Sequence, residues 1–233
     1  MGKERVALEP QAAKHLLTVL RLKVGAPLTL FDGSGFEFQA RIEQLDKKQV
    51  WVRLDGAHGP AVESPLRVTL AQGISRGERM DYTVQKAVEL GVTEIAPVLT
   101  ERSVVKLDAD NSQRKQEHWL GVVTAACEQS GRVRVPTVDL PVTLPQYLGK
   151  QTAPGLCLLL DPLAERSLSQ YPAPDDHRVT LLVGPEGGLS DKERELAAQA
   201  GFKGMRLGPR ILRTETAALV ALSLMQSQWG DLG

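Results

Sequence analysis

Cysteine is scarce: Cys127 and Cys157 are the only two, far apart in otherwise apolar surroundings, with neither C-x-x-C nor Cys/His metal spacing. That usage suits a reducing compartment and argues against both a disulfide scaffold and a zinc site. Net charge is absent too. The 28 Lys plus Arg are matched by 28 Asp plus Glu, so no bulk field selects an acidic partner, and any nucleic-acid binding must rest on local patches. No apolar run reaches bilayer length; the longest, Ala217 to Met225, is too short. The start, Met1-Gly2-Lys3-Glu4-Arg5, leads into no apolar core of signal-peptide length, so a soluble cytoplasmic protein is expected. There is no G-x-x-x-x-G-K-[ST] run, and Gly33-Ser34-Gly35 passes into a β pattern rather than a helix, as a hairpin turn does. His15, His58, His118 and His177 share no metal or triad spacing. Hydrolase and NTPase readings therefore lack support.

What is present organises into two parts. Leu28 to Phe31, Phe36 to Ile42 and Val50 to Leu54 are short β-type runs, preceded by a helical pattern from Pro10 to Arg21 with Ala13, Leu16, Leu17 and Leu20 on one face. The stretch Gly56 to Pro65, rich in Gly and Pro, reads as a linker, which places a domain of residues 1–65 before one of 66–233. Beyond Pro65, strands alternate with longer helical patterns, the sign of a mainly parallel sheet covered by helices. Strands are expected at Leu66 to Ala71 and Glu94 to Val98, and helices at Asp81 to Leu90, closed by Gly91, and at Asn111 to Glu128.

The last third carries the sharpest signal. Leu158-Leu159-Leu160 runs into Asp161-Pro162, Leu181-Leu182-Val183 into Gly184-Pro185, and Met205-Arg206-Leu207 into Gly208-Pro209. Proline stops a strand ladder and forces the preceding residue out of helical geometry. Helix caps follow at Ser190, within the capping box Ser190-x-x-Glu193, and at Thr214. In open α/β sheets, ligands sit beyond the carboxyl ends of such strands. Gly184-Pro185-Glu186-Gly187-Gly188 leaves backbone groups uncovered around one carboxylate. Lys203 to Arg213 holds four basic residues and no acid, yet Ile211 and Leu212 sit inside it, which suggests an apolar slot beside a cationic rim.

At these residues the chain resembles the RsmE-type methyltransferases of the SPOUT superfamily, which modify N3 of a uridine in small-subunit (16S) ribosomal RNA. The carrying motifs are Leu182 to Ser190 and Leu207 to Ala217. Supporting matches are His15 followed by Val19-Leu20-Arg21, Asp81 with Gln85 to Gly91, Glu101-Arg102-Ser103, and Glu128 to Arg132. The resemblance implies an N-terminal PUA-like β-barrel that helps hold RNA and a C-terminal α/β domain with a deep trefoil knot. It further implies S-adenosylmethionine bent inside the knot and a homodimer. Thr216 to Met225 is apolar almost all round, which calls for burial on more than one face, by the core alone or by core plus a second subunit.

Uracil N3 must lose its proton to become a good nucleophile. Glu215, then Glu186, are the candidate acceptors, although either could instead hold a loop, and Arg213 is the candidate cation for the uracil oxygens. For the cofactor, Leu207, Ile211 and Leu212 would rest against the adenine, Gly208 would offer its edge backbone groups, and Gly184 and Gly188 would permit close approach. Leu160, Asp161 and Thr216 complete the expected pocket, and no metal is called for. For RNA, residues 1–53 hold nine Lys or Arg against six Asp or Glu. Arg21, Lys23 and Arg41 are candidates there, joined by Arg102 and Arg132 from the motif positions of the second domain. The competing readings are a non-catalytic RNA-binding assembly factor and a related enzyme acting on another RNA position.

Overall fold

In the computed structural model, residues 4–46, 49–104, 108–150 and 155–233 are described. The chain divides between Glu63 and Ser64 into two compact units.

The first unit is an antiparallel sheet of β1 (Arg5–Ala7), β2 (Pro27–Phe31), β3 (Glu37–Leu45) and β4 (Val50–His58), in the order β1-β4-β3-β2. Ile42, Val50 and Val52 turn inward onto Ala13 and Leu16, closing a small core. The helix expected from Pro10 to Arg21 is real only in α1 (Pro10–Lys14). It widens into a π-helical turn over His15–Val19, and Arg21 takes a left-handed φ of 49°. β4 also outruns its expected end. Gly56, Ala57 and His58, assigned to the linker on composition, go on pairing with β3 as far as Glu37, past a register shift between Gln39 and Ala40, and His58 Nε2 lies 2.7 Å from Glu37 Oε1.

The second unit is a parallel sheet of β5 (Arg67–Gly73), β6 (Glu94–Leu99), β7 (Thr137–Val138), β8 (Val142–Thr143), β9 (Leu156–Leu160), β10 (Arg178–Val183) and β11 (Lys203–Met205). Its order is β11-β9-β10-β5-β6-β7, with β8 beside the far end of β6. Helices α2 (Glu78–Glu89), α3 (Ala109–Ser130), α4 (Leu144–Lys150), α5 (Asp191–Gln199) and α6 (Thr214–Trp229) surround it. The central strands are buried on both faces, which is why β10 is buried from Val179 to Val183 and ends in the apolar run Leu181-Leu182-Val183. One face packs Ala71, Leu159 and Leu182 against Leu144, Tyr147 and Leu148 of α4 and Ala197 of α5. Elsewhere in the unit, α2 packs against α3 and α6.

Local signals set the helix ends. Asp108 caps α3 through a bond from Asn111 N at 2.8 Å, and Gly131 closes it at φ 75°. Ser190 and Glu193 form the expected capping box of α5. Among the described residues, no helix is long and apolar enough to cross a membrane.

Because every pairing in this sheet is parallel, the carboxyl ends of β5, β6, β9, β10 and β11 lie along one edge. The three proline bends leave from that edge together.

Candidate active site

Each bend is fixed by its own hydrogen bonds. After β9, Asp161 N donates to Met205 O at 3.0 Å, and Asp161 Oδ1 accepts from Leu163 N at 2.9 Å, closing a tight turn over Pro162. After β10, Gly188 N donates to Pro185 O at 2.9 Å. The loop after β11 turns at Gly208, whose φ of 95° strains any residue with a Cβ. A Cβ on Gly73, at the end of β5, would stand 2.5 Å from Pro185 N, so only glycine lets the β10 bend lie this close to β5.

Side chains from distant elements then tie the β10 bend down. Glu186 Oε1 accepts from Arg76 N at 3.0 Å and from Arg79 Nη1 at 3.1 Å. Burial pushes the Glu186 carboxyl upward, but the backbone N–H groups of Arg76 and of Glu186 itself, with the Arg79 guanidinium, outweigh it and hold it below the ordinary carboxylate value. On the other side, Arg102 Nη1 donates to Gly187 O at 2.9 Å. The segment carrying Arg102 is itself anchored, since Glu101 N donates to the buried Glu193 at 2.8 Å.

The start of α6 completes the enclosure. Thr214, expected as the cap, is instead the first helical residue, and Arg213 occupies the cap position with no side-chain capping bond. The reason is a competing set of partners. Thr214 Oγ1 donates to Gly184 O at 2.6 Å and accepts from the fully buried Gln72 Nε2 at 3.0 Å, stitching α6 to β10 and β5. Glu215 follows, with Oε2 buried and without a hydrogen-bond partner.

These loops enclose a cavity of about 510 Å3, within the usual range for small-molecule sites. It gathers Leu160, Asp161, Glu186, Gly184, Gly188, Leu207, Gly208, Ile211, Leu212, Arg213 and Glu215, together with Arg102. Ile211 is 87% exposed. Thr216 is not in the lining; a step of about 100° along the helix turns it to the outside, and Ala217 lines the cavity instead. Arg206 and Arg210 stand on the wall as part of the expected cationic rim, and two further cations, Arg79 and Arg194, stand there beyond those expected. Gly73, the last residue of β5, and Arg79, at the start of α2, are legible only from their place around the carboxyl end of that strand.

One expected RNA contact changes role. Arg132 is 5% exposed, and its Nη1 donates to Val88 O at 2.9 Å and Val92 O at 2.7 Å, so the guanidinium is spent on the end of α2 and the chain beyond it. Arg41 lies 3.4 Å from Asp55, while Arg5 and Arg53 share Glu43 at 3.2 and 3.9 Å. The strand arginines of the first unit are thus largely neutralised by their own neighbours. Among the described residues Arg21 and Lys23 carry no such pairing, and they follow the exposed Val19 and Leu20.

A strand-end cavity with a glycine-rich backbone wall and a cationic rim defines a nucleotide-type cofactor site on an α/β sheet, and comparison with known proteins gives its class. The model described as RNA methyltransferase domain matches residues 62–226, and that described as RNA methyltransferase PUA domain matches residues 8–55. Ribosomal RNA small subunit methyltransferase E of Buchnera aphidicola subsp. Schizaphis graminum is 31% identical over 97% of this chain and 92% of its own length. The Bacillus subtilis protein of the same name is 31% identical over 92% and 86%. Among solved structures, that enzyme from Neisseria gonorrhoeae, bound to S-adenosyl methionine, superposes with a TM-score of 0.92 at 39% identity, covering 99% of this chain and 94% of the other. A methyltransferase from Legionella pneumophila with bound SAM gives 0.94 at 44% identity, covering 100% and 95%. The chain belongs to the ribosomal RNA small subunit methyltransferase E family.

Proposed function

We propose that this protein methylates N3 of a specific uridine in small-subunit ribosomal RNA, using S-adenosylmethionine, on the assembled small subunit. The observation that carries the reading is the convergence of the β9, β10 and β11 bends on one cavity, in a chain of this family. The residues present suit the cofactor. Leu160, Leu207, Ile211 and Leu212 offer apolar surface to a purine, and Gly184, Gly188 and Gly208 bring bare backbone to its edge.

The bound cofactor supplies a methyl group on a positively charged sulfur that departs as a neutral thioether. The protein's task is alignment, which contributes about 7 to 11 kcal/mol to such reactions, and removal of the N3 proton. Glu186 is poorly suited to that removal, because Arg76 N and Arg79 already hold its charged form. Glu215 takes the proton instead, the N–H electron pair becoming the new N–CH3 bond, while the exposed Arg213 stabilises negative charge on the uracil oxygens.

Three further features belong to this reading. The strand order requires the chain to return from β11, at the sheet edge, across the carboxyl ends of β9 and β10 to begin α6 beside Gln72. That path suits a trefoil knot. The four-stranded first unit suits a PUA-like barrel that grips RNA with Arg21 and Lys23. Val220 and Leu224, 36% and 44% exposed within the mostly apolar middle of α6, suit a homodimer. The protein would act in the cytoplasm, where ribosomes are made.

Calorimetry with S-adenosylmethionine, followed by transfer of labelled methyl to small subunits and mass spectrometry of the nucleosides, tests the proposal. The expected product is 3-methyluridine. Label on a ribose or on another base, or cofactor binding with no transfer to any RNA, overturns it.

A further inference from the structure

We infer that the edge of the second unit's sheet at β11 is a face that grips the phosphate backbone of the substrate RNA, through Arg166, Lys203, Arg206 and Arg210. The inference rests on the proposed RNA substrate. β11 ends the sheet. Met205 O turns toward β9, where Asp161 N meets it, so Gly204 O and Arg206 N point away from the sheet. The segment after β9 covers them. The Tyr171 hydroxyl donates to Gly204 O at 2.7 Å, and Arg206 N donates to Arg166 O at 2.9 Å. Two separate loops are thereby joined, with Arg166 beside Arg206. Both side chains are exposed, as are Lys203 at the start of β11 and Arg210 in the loop beyond it.

Elsewhere the exposed arginines answer acids of their own: Arg5, Arg41 and Arg53 stand among Glu43 and Asp55, Arg79 pairs with Glu186, and Arg194 with Asp191. Among the described residues, none of the four cations at β11 has an ion pair. Arg166 Cζ lies 5.8 Å from the centre of the Tyr171 ring, a contact that takes none of its N–H donors. From Lys203 to Arg213 the chain holds no acid. In the covering segment Asp161 is turned to Leu163 N and Arg194, which leaves the exposed Glu165 as its one free acid. Arg206 and Arg210 stand on the cavity wall, whereas Arg166 and Lys203 lie outside the lining. A ligand that meets all four is longer than a cofactor. A strand of RNA with one nucleotide in the cavity and its neighbouring phosphates along β11 fits that spread, and Leu163, 74% exposed in the same segment, offers apolar surface to an adjoining base. Phosphate contacts fix register and carry no sequence information, so this face holds the strand while the cavity selects the nucleotide.

The test is filter binding of the intact protein to small-subunit ribosomal RNA and to small ribosomal subunits across a salt series, with calorimetry of S-adenosylmethionine alongside. The double change Arg166→Glu, Lys203→Glu, both outside the cavity lining, should weaken binding to RNA and to subunits at least about tenfold. It should flatten the log-log salt slope by about 0.7 for each lost phosphate contact, about 1.4 for the pair. Cofactor affinity should stay within about twofold. Arg166→Gln, Lys203→Gln, which removes the charges without reversing them, should lose less affinity but flatten the slope as much. Unchanged RNA affinity and slope in the charge-reversed protein overturn the inference. Equal loss of RNA and cofactor binding also overturns it, because the face would then be a support of the fold. Subunit binding lost with RNA binding and its slope intact would assign the face to a ribosomal protein and overturn it too. If the unmodified protein binds neither RNA nor subunits, the proposed function itself falls, whatever the variants do.

Discussion

Arg132 offers a decision between two roles that its position in the chain leaves open. As a phosphate contact it would matter to RNA and little to stability; as a buried donor it would matter to the fold. In the structure its guanidinium reaches Val88 O and Val92 O at 2.9 and 2.7 Å. Replacement by Ala leaves these carbonyls unequally provided, because Val88 O keeps the Gly91 N–H at 3.0 Å. A charged hydrogen bond contributes roughly 1.5 to 3 kcal/mol, and a stranded buried acceptor costs about 1 to 3 kcal/mol. Arg132→Ala should therefore lose about 2 to 4 kcal/mol. At an m-value of about 2 kcal/mol per molar, the urea midpoint moves down by about 1 to 2 M. Arg132→Lys, which keeps the charge but not the planar fork, should recover less than half of that. The reasoning is refuted if Arg132→Ala unfolds within about 0.3 M of the unmodified protein and loses RNA affinity instead.

Gly73→Ala would place a Cβ 2.5 Å from Pro185 N. The overlap should cost about 1 to 3 kcal/mol of stability and, by shifting the β10 bend, weaken S-adenosylmethionine binding at least about tenfold by calorimetry; unchanged affinity would show that the bend adapts. In the second unit, burial raises the Glu94 carboxyl above its ordinary value, helped by the nearby charge of Asp139 and opposed by the Thr69 hydroxyl. A carboxyl raised by folding holds its proton more tightly in the native state, so stability falls as pH climbs from the unfolded value through the folded one. Glu94→Gln should then melt higher than the unmodified protein at pH 7, with the difference gone near pH 3; a difference independent of pH would reject electrostatics as the cause. For RNA, the double change Arg21→Glu, Lys23→Glu should weaken binding and flatten the log-log salt dependence by about 0.7 to 0.9 per lost phosphate contact, whereas Arg41→Glu should leave that slope nearly unchanged in filter binding across a salt series.

The elements that could be read in advance are those whose causes lie within a few residues. Gly184-Pro185 and Gly208-Pro209 mark their bends because glycine and proline together follow an apolar strand run and proline lacks the N–H to continue it, and Ser190 with Glu193 marks a helix start by reciprocal bonds three residues apart. Thr214 has the same capping preference, yet its hydroxyl is taken by Gly184 and Gln72, 30 and 142 positions away. Arg132 bonds to carbonyls 44 and 40 positions upstream, and Gly73 needs to be small only because Pro185 arrives beside it. Basic residues in the first unit suggested an RNA face from their number; the pairing of β3 with β4 sets Arg41 and Arg53 opposite one another among Glu43 and Asp55 and cancels much of that surplus. Strand order was equally hidden, since inserting β10 between β9 and β5 is a property of the path and not of any segment's composition.

The same long-range ties explain why the cavity belongs to the whole second unit although its motifs crowd the last third of the chain. The three bends supply most of the lining, but none is held in place by its own segment alone. Glu186 is fixed by Arg76 from the β5–α2 connection and Arg79 at the start of α2, Gly187 by Arg102 beyond β6, and the start of α6 by Gln72 of β5. A loop closed by contacts so distant in sequence gains its geometry only after the sheet has assembled, because the entropy of ordering it is offset by bonds that do not exist before then. Preorganisation of the site and completion of the fold are therefore one event, and a ligand that binds the finished cavity stabilises the entire unit by mass action rather than the bends alone.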